Sequence, residues 1–153
     1  MIQRIQSVYL LLVAILMGVT AFSPLFVLKG GTELFDFYSY GIVPIDADLE
    51  VVKCTYGVIS MAGLSALFAF VNIFLYKKRK AQIRVGYLTS FFIILFYIAV
   101  GAYFYSVGNR LTLDIEGIQY GIILPVVALI FNLLAIAKVK KDEKLVRSLD
   151  RIR

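Results

Sequence analysis

Residues 85–109 read VGYLTSFFIILFYIAVGAYFYSVGN, a run of 25 residues without one charged side chain. Three similar runs cover residues 5–28, 54–76 and 117–137, and the shortest of them contains 21 residues. A helix needs roughly 20 apolar residues to cross the hydrocarbon core of a bilayer. The four runs therefore predict an all-α membrane protein, a bundle of four transmembrane helices with little mass outside the bilayer.

The runs also predict where each helix lies along the 153 residues of the chain. Pro24 is expected to bend or end the outer turn of the first helix, because proline lacks a backbone N–H. The expected helices form a single membrane domain and cover about residues 8–28, 54–76, 85–107 and 117–138. The largest connection is an outer loop at 29–53, and residues 139–153 form a polar tail.

The charges are distributed unequally between the segments that connect the four runs. If every run spans, then the N-terminus, the loop at 77–84 and the tail from residue 138 lie on one side of the membrane. That side carries 13 of the 16 basic residues, while the other side carries seven of the ten acidic residues. Loops rich in Lys and Arg remain in the cytoplasm of bacterial cells. The pattern predicts that both termini are cytoplasmic.

The densest basic cluster, in the loop at 77–84, consists of Lys77, Lys78, Arg79 and Lys80. Such a cluster beside a membrane end is expected from topology alone, so it argues only weakly for nucleic acid as a partner. Contact with the anionic lipid headgroups of the cytoplasmic leaflet is the favoured reading, since each cation near the surface gains about 1 kcal/mol there.

Two outer segments have the composition of β-strands. Residues 34–40 are rich in aromatic side chains, and residues 111–115 alternate strictly between apolar and polar side chains. We expect the two outer loops to form a small β-cap on the outer end of the bundle. Such a small sheet is marginally stable alone and would have to pack on the helix ends.

The second and fourth helices each carry an asparagine, Asn72 or Asn132, within a stripe of small residues. Steps of three and four place each stripe on one helix face, where small residues let helices approach closely in lipid. The stripes are Ala62, Ser65, Ala66 and Ala69 before Asn72, and Gly121, Pro125, Ala128 and Ala135 around Asn132.

The two asparagines are open to a structural and a functional interpretation. As interhelical contacts they would contribute about 0.6 kcal/mol each, the average for such bonds in membranes. Alternatively, Asn72 and Asn132, with Ser65 nearby, line an aromatic-rich groove that holds a lipid or a small amphiphile.

Catalytic chemistry is disfavoured by the residue types that the chain contains. There is no histidine, and no Asp, Glu, Lys or Arg lies within the four apolar runs. Catalysis by histidine and metal ligation by histidine are therefore impossible in this chain, and proton relays normally need ionisable groups at membrane depth. We predict that the protein is not an enzyme and has no catalytic residues, no cofactor and no dedicated metal site.

The outer acidic segment resembles a calcium loop only in part. Asp46, Asp48 and Glu50 have the spacing of the first ligands, but Val51 and Gly57 stand where an EF-hand needs glycine and glutamate. A loose cation site stays open, and Asp114 and Glu116 could join it only if the two outer loops meet.

The polar tail has the pattern of an amphipathic helix. Leu145, Leu149 and Ile152 recur at steps of four and three, with Arg147 and Arg151 among them. This helix would continue the fourth helix or lie along the cytoplasmic surface. Its apolar stripe would contact lipid or dock into a groove of a partner protein.

The two ends of the chain carry a resemblance to a known family. The chain begins with MIQRIQSVYLL and ends, at 141–153, with KDEKLVRSLDRIR. In these ends it resembles a family of small four-helix membrane proteins from Gram-negative bacteria, which is described only as a domain of unknown function. The resemblance covers essentially the whole chain. It implies a multi-pass protein of the bacterial inner membrane, and it implies no activity.

Together these features give two functional hypotheses. The first is a non-catalytic accessory or assembly subunit of a larger inner-membrane complex, which docks on a membrane-protein partner through the tail and the bundle surface. The alternative is binding or transport of a lipid or small amphiphile in the groove near Asn72 and Asn132.

Overall fold

A computed structural model describes residues 3–31, 33–45, 53–111 and 114–150. It contains four α-helices and five β-strands in these ranges. The helices are α1 (Gln3–Phe22), α2 (Tyr56–Phe74), α3 (Arg79–Leu111) and α4 (Leu124–Asp150). The strands are β1 (Pro24–Gly30), β2 (Glu33–Tyr38), β3 (Gly41–Pro44), β4 (Lys53–Cys54) and β5 (Asp114–Ile118).

The four helices form a bundle in which each helix has two neighbours. α1 packs against α2 and α4, and α3 packs against the same two helices. All four are long and apolar enough to cross a membrane. The shortest, α2, has 19 residues and is therefore about 28 Å long, close to the thickness of the hydrocarbon core.

The strands form one antiparallel sheet in the order β4-β3-β2-β1-β5. The sheet lies at the end of the bundle where α1 and α3 finish and α2 and α4 begin, which we call the sheet end. The opposite end holds the short α2–α3 connection and the charged part of α4, and we call it the basic end. The predicted outer β-cap therefore corresponds to a real sheet, and the chain is mostly helical rather than all-α.

The sheet is joined to the helix ends by buried hydroxyl groups. Ser39 Oγ donates to the carbonyl of Thr20 at 3.0 Å, and Thr55 Oγ1 donates to the carbonyl of Ser39 at 2.8 Å. Leu25 and Phe37 of the sheet belong to the same buried cluster as the core residues of the helices. The marginal stability of a small sheet is thus compensated by packing on the bundle.

The prediction of where the first helix ends was wrong. We expected it to continue to residue 28, but α1 ends at Phe22 and residues 24–30 form β1. Pro24 cannot donate a hydrogen bond within a helix, and β1 is a central strand that pairs with both β2 and β5. An apolar run alone does not distinguish a helix from a strand buried between others.

The boundaries around the connection between α3 and α4 also differ from the prediction. Leu111 still belongs to α3, and the strand begins at Asp114, whereas the predicted strand began at 111. Gly117, predicted as the first residue of the fourth helix, lies in β5. α4 begins at Leu124 with Pro125 in its first turn, a position that proline favours because that N–H has no partner within the helix.

The small-residue stripes face the core as predicted. Ala62, Ser65, Ala69 and Asn72 are buried along α2, and Ala66 of the same predicted stripe is half-buried. The second stripe is buried throughout, from Gly121 in the turn before α4 to Pro125, Ala128, Asn132 and Ala135 of α4.

Candidate functional site

Each helix contributes a buried carboxamide to the half of the bundle near the basic end. These side chains are Gln6 on α1, Asn72 on α2, Gln82 on α3 and Asn132 on α4. A buried amide is costly unless its donors and acceptor are satisfied. Their hydrogen bonds therefore decide whether this polar layer is structural or open to a ligand.

Asn132 is held in one orientation by α3. Its Nδ2 donates to the carbonyl of Gly86 and to Ser90 Oγ, both at 2.8 Å. A backbone carbonyl only accepts hydrogen bonds, so the amide cannot be turned to place its oxygen there. Asn132 Oδ1 is consequently left buried without a hydrogen-bond partner.

Asn72 approaches the same glycine from α2. Its Nδ2 lies 3.6 Å from the position that a Cβ on Gly86 would occupy. Its Oδ1, like that of Asn132, is buried without a partner, so the two asparagine side chains do not bond each other. Each unpartnered oxygen costs about 1–3 kcal/mol unless a donor reaches it.

Ser65 does not take part in this contact. Its Oγ donates to the carbonyl of Ala62 within α2, at 2.8 Å. It shares the buried face of Asn72 but is two helical turns away from it. The structure therefore brings Asn72 and Asn132 together around Gly86 and leaves the third predicted residue apart.

Below this layer, Asp142 connects three helices at the basic end. Gln6 Nε2 on α1 donates to a carboxylate oxygen of Asp142 on α4. Arg79 Nη1, at the start of α3, donates to the Asp142 carbonyl at 3.3 Å. Lys140 Nζ, also on α4, donates to the Tyr87 hydroxyl of α3. The charged part of α4 is thereby fixed against the beginning of α3.

An open groove of about 680 Å³ lies between these two segments. We call it the basic groove. Its lining residues come from the α2–α3 connection, the first turns of α3 and one position of α4: Tyr76, Lys78, Arg79, Lys80, Ala81, Arg84 and Val146. Three of the four predicted basic residues thus line one groove, and the side chain of Lys77 lies outside the described atoms.

The predicted amphipathic tail is a continuation of α4 as far as Asp150. Leu145 is 50% exposed and Val146 is 40% exposed, so this stretch presents apolar side chains beyond the charge-free part of the helix. Arg147 and Leu149 lie on its described backbone, but their side chains are not described. Arg151 and Ile152 lie outside the described residues.

At the sheet end, Asp36 of β2 is a partly buried carboxyl group. Its Oδ1 has no hydrogen-bond partner. Burial raises the pKa of Asp36 above its ordinary value, and the hydrogen bond with Tyr38 opposes part of that rise. At the same end, the Glu116 carboxylate of β5 pairs with Lys29 Nζ of β1 at 3.7 Å.

The loose cation site considered from the sequence receives no support from the described residues. The two outer segments do meet, because β1 pairs with both β2 and β5. Asp46, Asp48 and Glu50, however, lie outside the described residues. Within the described part of the chain, no group of three acidic, histidine or cysteine residues is placed to hold a metal ion.

Sequence reasoning missed the partners of the asparagines. Gly86 looks like any other glycine of the apolar run, and only the structure shows it between Asn72 of α2 and Ile136 of α4. Gln6 and Gln82 could have been noticed, because each is an uncharged polar residue at the edge of an apolar run. The groove at the basic end could not have been found from the sequence. It forms because Val146 lies beside residues that precede it by more than sixty positions in the chain.

These observations define a class: a multi-pass membrane protein of four helices with an antiparallel sheet on one end and a basic groove at the other. The chain belongs to the family described as Domain of unknown function (DUF4293), which it matches over residues 2–152. Comparisons with curated proteins and with solved structures gave no match.

Proposed function

We propose that this chain is a non-catalytic accessory or assembly subunit of a larger complex in the bacterial inner membrane, with both termini in the cytoplasm. The observation that carries the proposal is the continuous helix α4. Residues 138–150, about 13 residues or roughly 20 Å of helix, follow Ala137, the last residue of the charge-free run. A helix that extends beyond the membrane and exposes Leu145 there is suited to contact a partner.

The attachment of this helical extension to the bundle supports the same reading. Asp142 is bonded to Gln6 and to Arg79, so the extension is held in a defined direction instead of moving freely. A pre-organised segment loses less conformational entropy on binding than a disordered one. Leu145 and its neighbours would then be presented to a partner at a fixed position beside the membrane.

The test uses a tagged copy expressed at native abundance and purified in mild detergent. Leu145→Ser should release a stoichiometric protein partner while the melting temperature of the bundle stays unchanged, because Leu145 is exposed in the chain alone. Ser148→Ala, an exposed position on the same helix, is the matched control. The triple variant Leu145→Ser, Leu149→Ser and Ile152→Ser removes the whole predicted stripe. Complexes that keep their composition in the triple variant would exclude docking through this helix.

The alternative function, binding of a lipid or small amphiphile near the asparagines, is favoured by one observation. Asn72 Oδ1 and Asn132 Oδ1 both lack a donor in a buried environment. A bound hydroxyl or amino group would satisfy them. Mass spectrometry of the same preparation distinguishes the two functions, because an enriched amphiphile that is lost in Asn72→Ala, but retained in Ser65→Ala, supports binding instead of docking.

A further inference from the structure

The basic groove concentrates positive charge around an open depression in the surface. Lys78, Lys80 and Arg84 are exposed in its walls, and Arg79 lies partly buried between them. The described residues that line the groove include no carboxylate. The groove has a volume of about 680 Å³ and is lined by four cations and, among the described residues, no anion. Such a site attracts negatively charged ligands.

The helix geometry adds to this charge. α3 begins at Arg79, so the residues that line the groove include its first three positions. The positive end of the helix dipole and backbone N–H groups without partners in the helix are located there. These contributions add to the anion binding that the four charged side chains provide.

The remaining lining residues are apolar or amphipathic. Ala81 and Val146 contribute apolar surface, and Tyr76 contributes a ring with a hydroxyl group. A free inorganic anion would use none of this apolar surface. A ligand with a charged head and a hydrocarbon part would use both kinds of contact.

The position of the groove relative to the membrane also fits a ligand with a charged head and a hydrocarbon part. Val85 begins the charge-free run of α3, and Arg84 and Lys80 precede it by one and five positions, about 1.5 Å and 7.5 Å along the helix. If Val85 marks the edge of the hydrocarbon core, then the cations lie at the level of lipid headgroups. The polar region on each side of the core is several ångströms thick, about 5–8 Å.

We propose that the basic groove binds the phosphate-bearing headgroup of an anionic phospholipid, with Lys78, Lys80 and Arg84 around the phosphate and Ala81 and Val146 against the first part of an acyl chain. Arg79 donates a hydrogen bond to the Asp142 carbonyl, which holds the start of α3 against α4, and it adds a fourth positive charge to the groove. This site does not depend on docking through Leu145, because its cations belong to the α2–α3 connection and α3, and Val146 is the one described residue of α4 that lines it.

The experiment measures lipid binding to delipidated protein in a neutral detergent by native mass spectrometry. Phosphatidylglycerol is titrated against phosphatidylcholine, and inorganic phosphate is tested separately as a free anion. The test variant is Lys80→Gln with Arg84→Gln, which removes two exposed cations from the groove. The control is Lys138→Gln with Lys141→Gln, which removes two exposed cations of α4 that do not line it.

We expect the wild type to bind phosphatidylglycerol more tightly than phosphatidylcholine. The groove variant should bind it about tenfold to thirtyfold more weakly, as the loss of two cations at about 1 kcal/mol each implies. The control variant should remain within about threefold of the wild type, the effect of less than 1 kcal/mol. If the groove variant does not fold, Arg84→Gln alone is compared with Lys138→Gln.

Three results would overturn the proposal. Equal losses in the two variants would mean that the whole basic surface attracts lipid without a site. Equal binding of the two lipids would mean that the headgroup charge is not recognised. Binding of inorganic phosphate that is lost in the groove variant, without preferential binding of phosphatidylglycerol, would make this a site for a free anion.

Discussion

Asn132 donates from one amide nitrogen to two acceptors of α3, the Gly86 carbonyl and Ser90 Oγ. These bonds fix the rotation of α4 about its axis and its position along α3, because the Asn132 amide could not contact either acceptor if α4 were shifted by one turn. The unpartnered Oδ1 is the cost of this arrangement. A ligand or a buried water that donates to it would recover part of that cost.

Asp36 is a second polar residue whose burial is unfavourable, and its contribution to stability depends on pH. Its raised pKa means that the folded protein binds this proton more tightly than the unfolded chain. Its contribution to stability is therefore greatest below the ordinary pKa of 3.8 and is lost as the pH rises through the higher, folded-state pKa. We expect Asp36→Asn to raise the free energy of unfolding at pH 7 by about 1 kcal/mol.

Thermal unfolding in detergent between about pH 3.5 and about pH 8, which extends from below the ordinary pKa of 3.8 to well above it, measures this effect. The gain from Asp36→Asn should shrink toward the acid end, where the wild-type carboxyl group is neutral. Asp114→Asn, an exposed carboxylate on β5, serves as the control. A variant less stable than the wild type at pH 7 would mean that the ionised Asp36 carboxylate stabilises the sheet.

Among single residues, the sequence identified the asparagines but not their surroundings. Asn72 and Asn132 stand out because small residues flank them at helical spacing, and both are buried as that pattern predicts. Gly86 and Gly101 look equivalent in the same apolar run. In the structure, a Cβ on Gly86 would meet Ile136, whereas a Cβ on Gly101 would meet nothing within 4 Å. That difference depends on the neighbouring helix and cannot be read from one chain segment.

The contact between α3 and α4 depends on the absence of a side chain at Gly86. A Cβ there would lie 2.7 Å from Ile136 Cγ1 and 3.1 Å from its Cδ1. Gly86→Ala should therefore force the two helices apart and cost about 1–3 kcal/mol. Gly63→Ala is the control on α2, because its Cβ would meet nothing within 4 Å.

A double-mutant cycle checks that the clash with Ile136 is the cause. Unfolding of Gly86→Ala, Ile136→Ala and the double variant is followed in detergent. The double variant should lose less stability than the sum of the single losses, because the smaller side chain makes room for the new methyl group. Purely additive losses would contradict a direct contact between these positions.

At the scale of elements, the sequence predicted four apolar helices and a cap, and it failed at their junctions. Residues 24–28 are as apolar as the helix before them, so hydropathy assigned them to it. The structure uses them in β1, whose Leu25 and Leu28 are buried within the sheet and bundle core. β1 is stabilised by two neighbouring strands distant in sequence, and a local pattern does not contain that information.

At the scale of the whole molecule, the two ends of the bundle differ in chemistry. The basic end carries the groove and the extension of α4, and the sheet end carries Asp36, Glu116 and the exposed Cys54. The proposed functions at the basic end, docking and lipid binding, both require that it faces the cytoplasm. The orientation of the bundle is therefore the central claim on which they depend.

Cys54 allows this claim to be tested directly, because it is the only cysteine in the chain and is exposed at the sheet end. Sealed spheroplasts are treated with a membrane-impermeant maleimide, and labelling is read on the purified protein. We predict that the wild type is labelled without permeabilisation. The variant Cys54→Ser with Lys141→Cys, which moves the thiol to an exposed position at the basic end, should be labelled only after the membrane is opened. The reverse pattern, with Cys54 protected and position 141 accessible in sealed spheroplasts, would place the basic end outside and contradict the account.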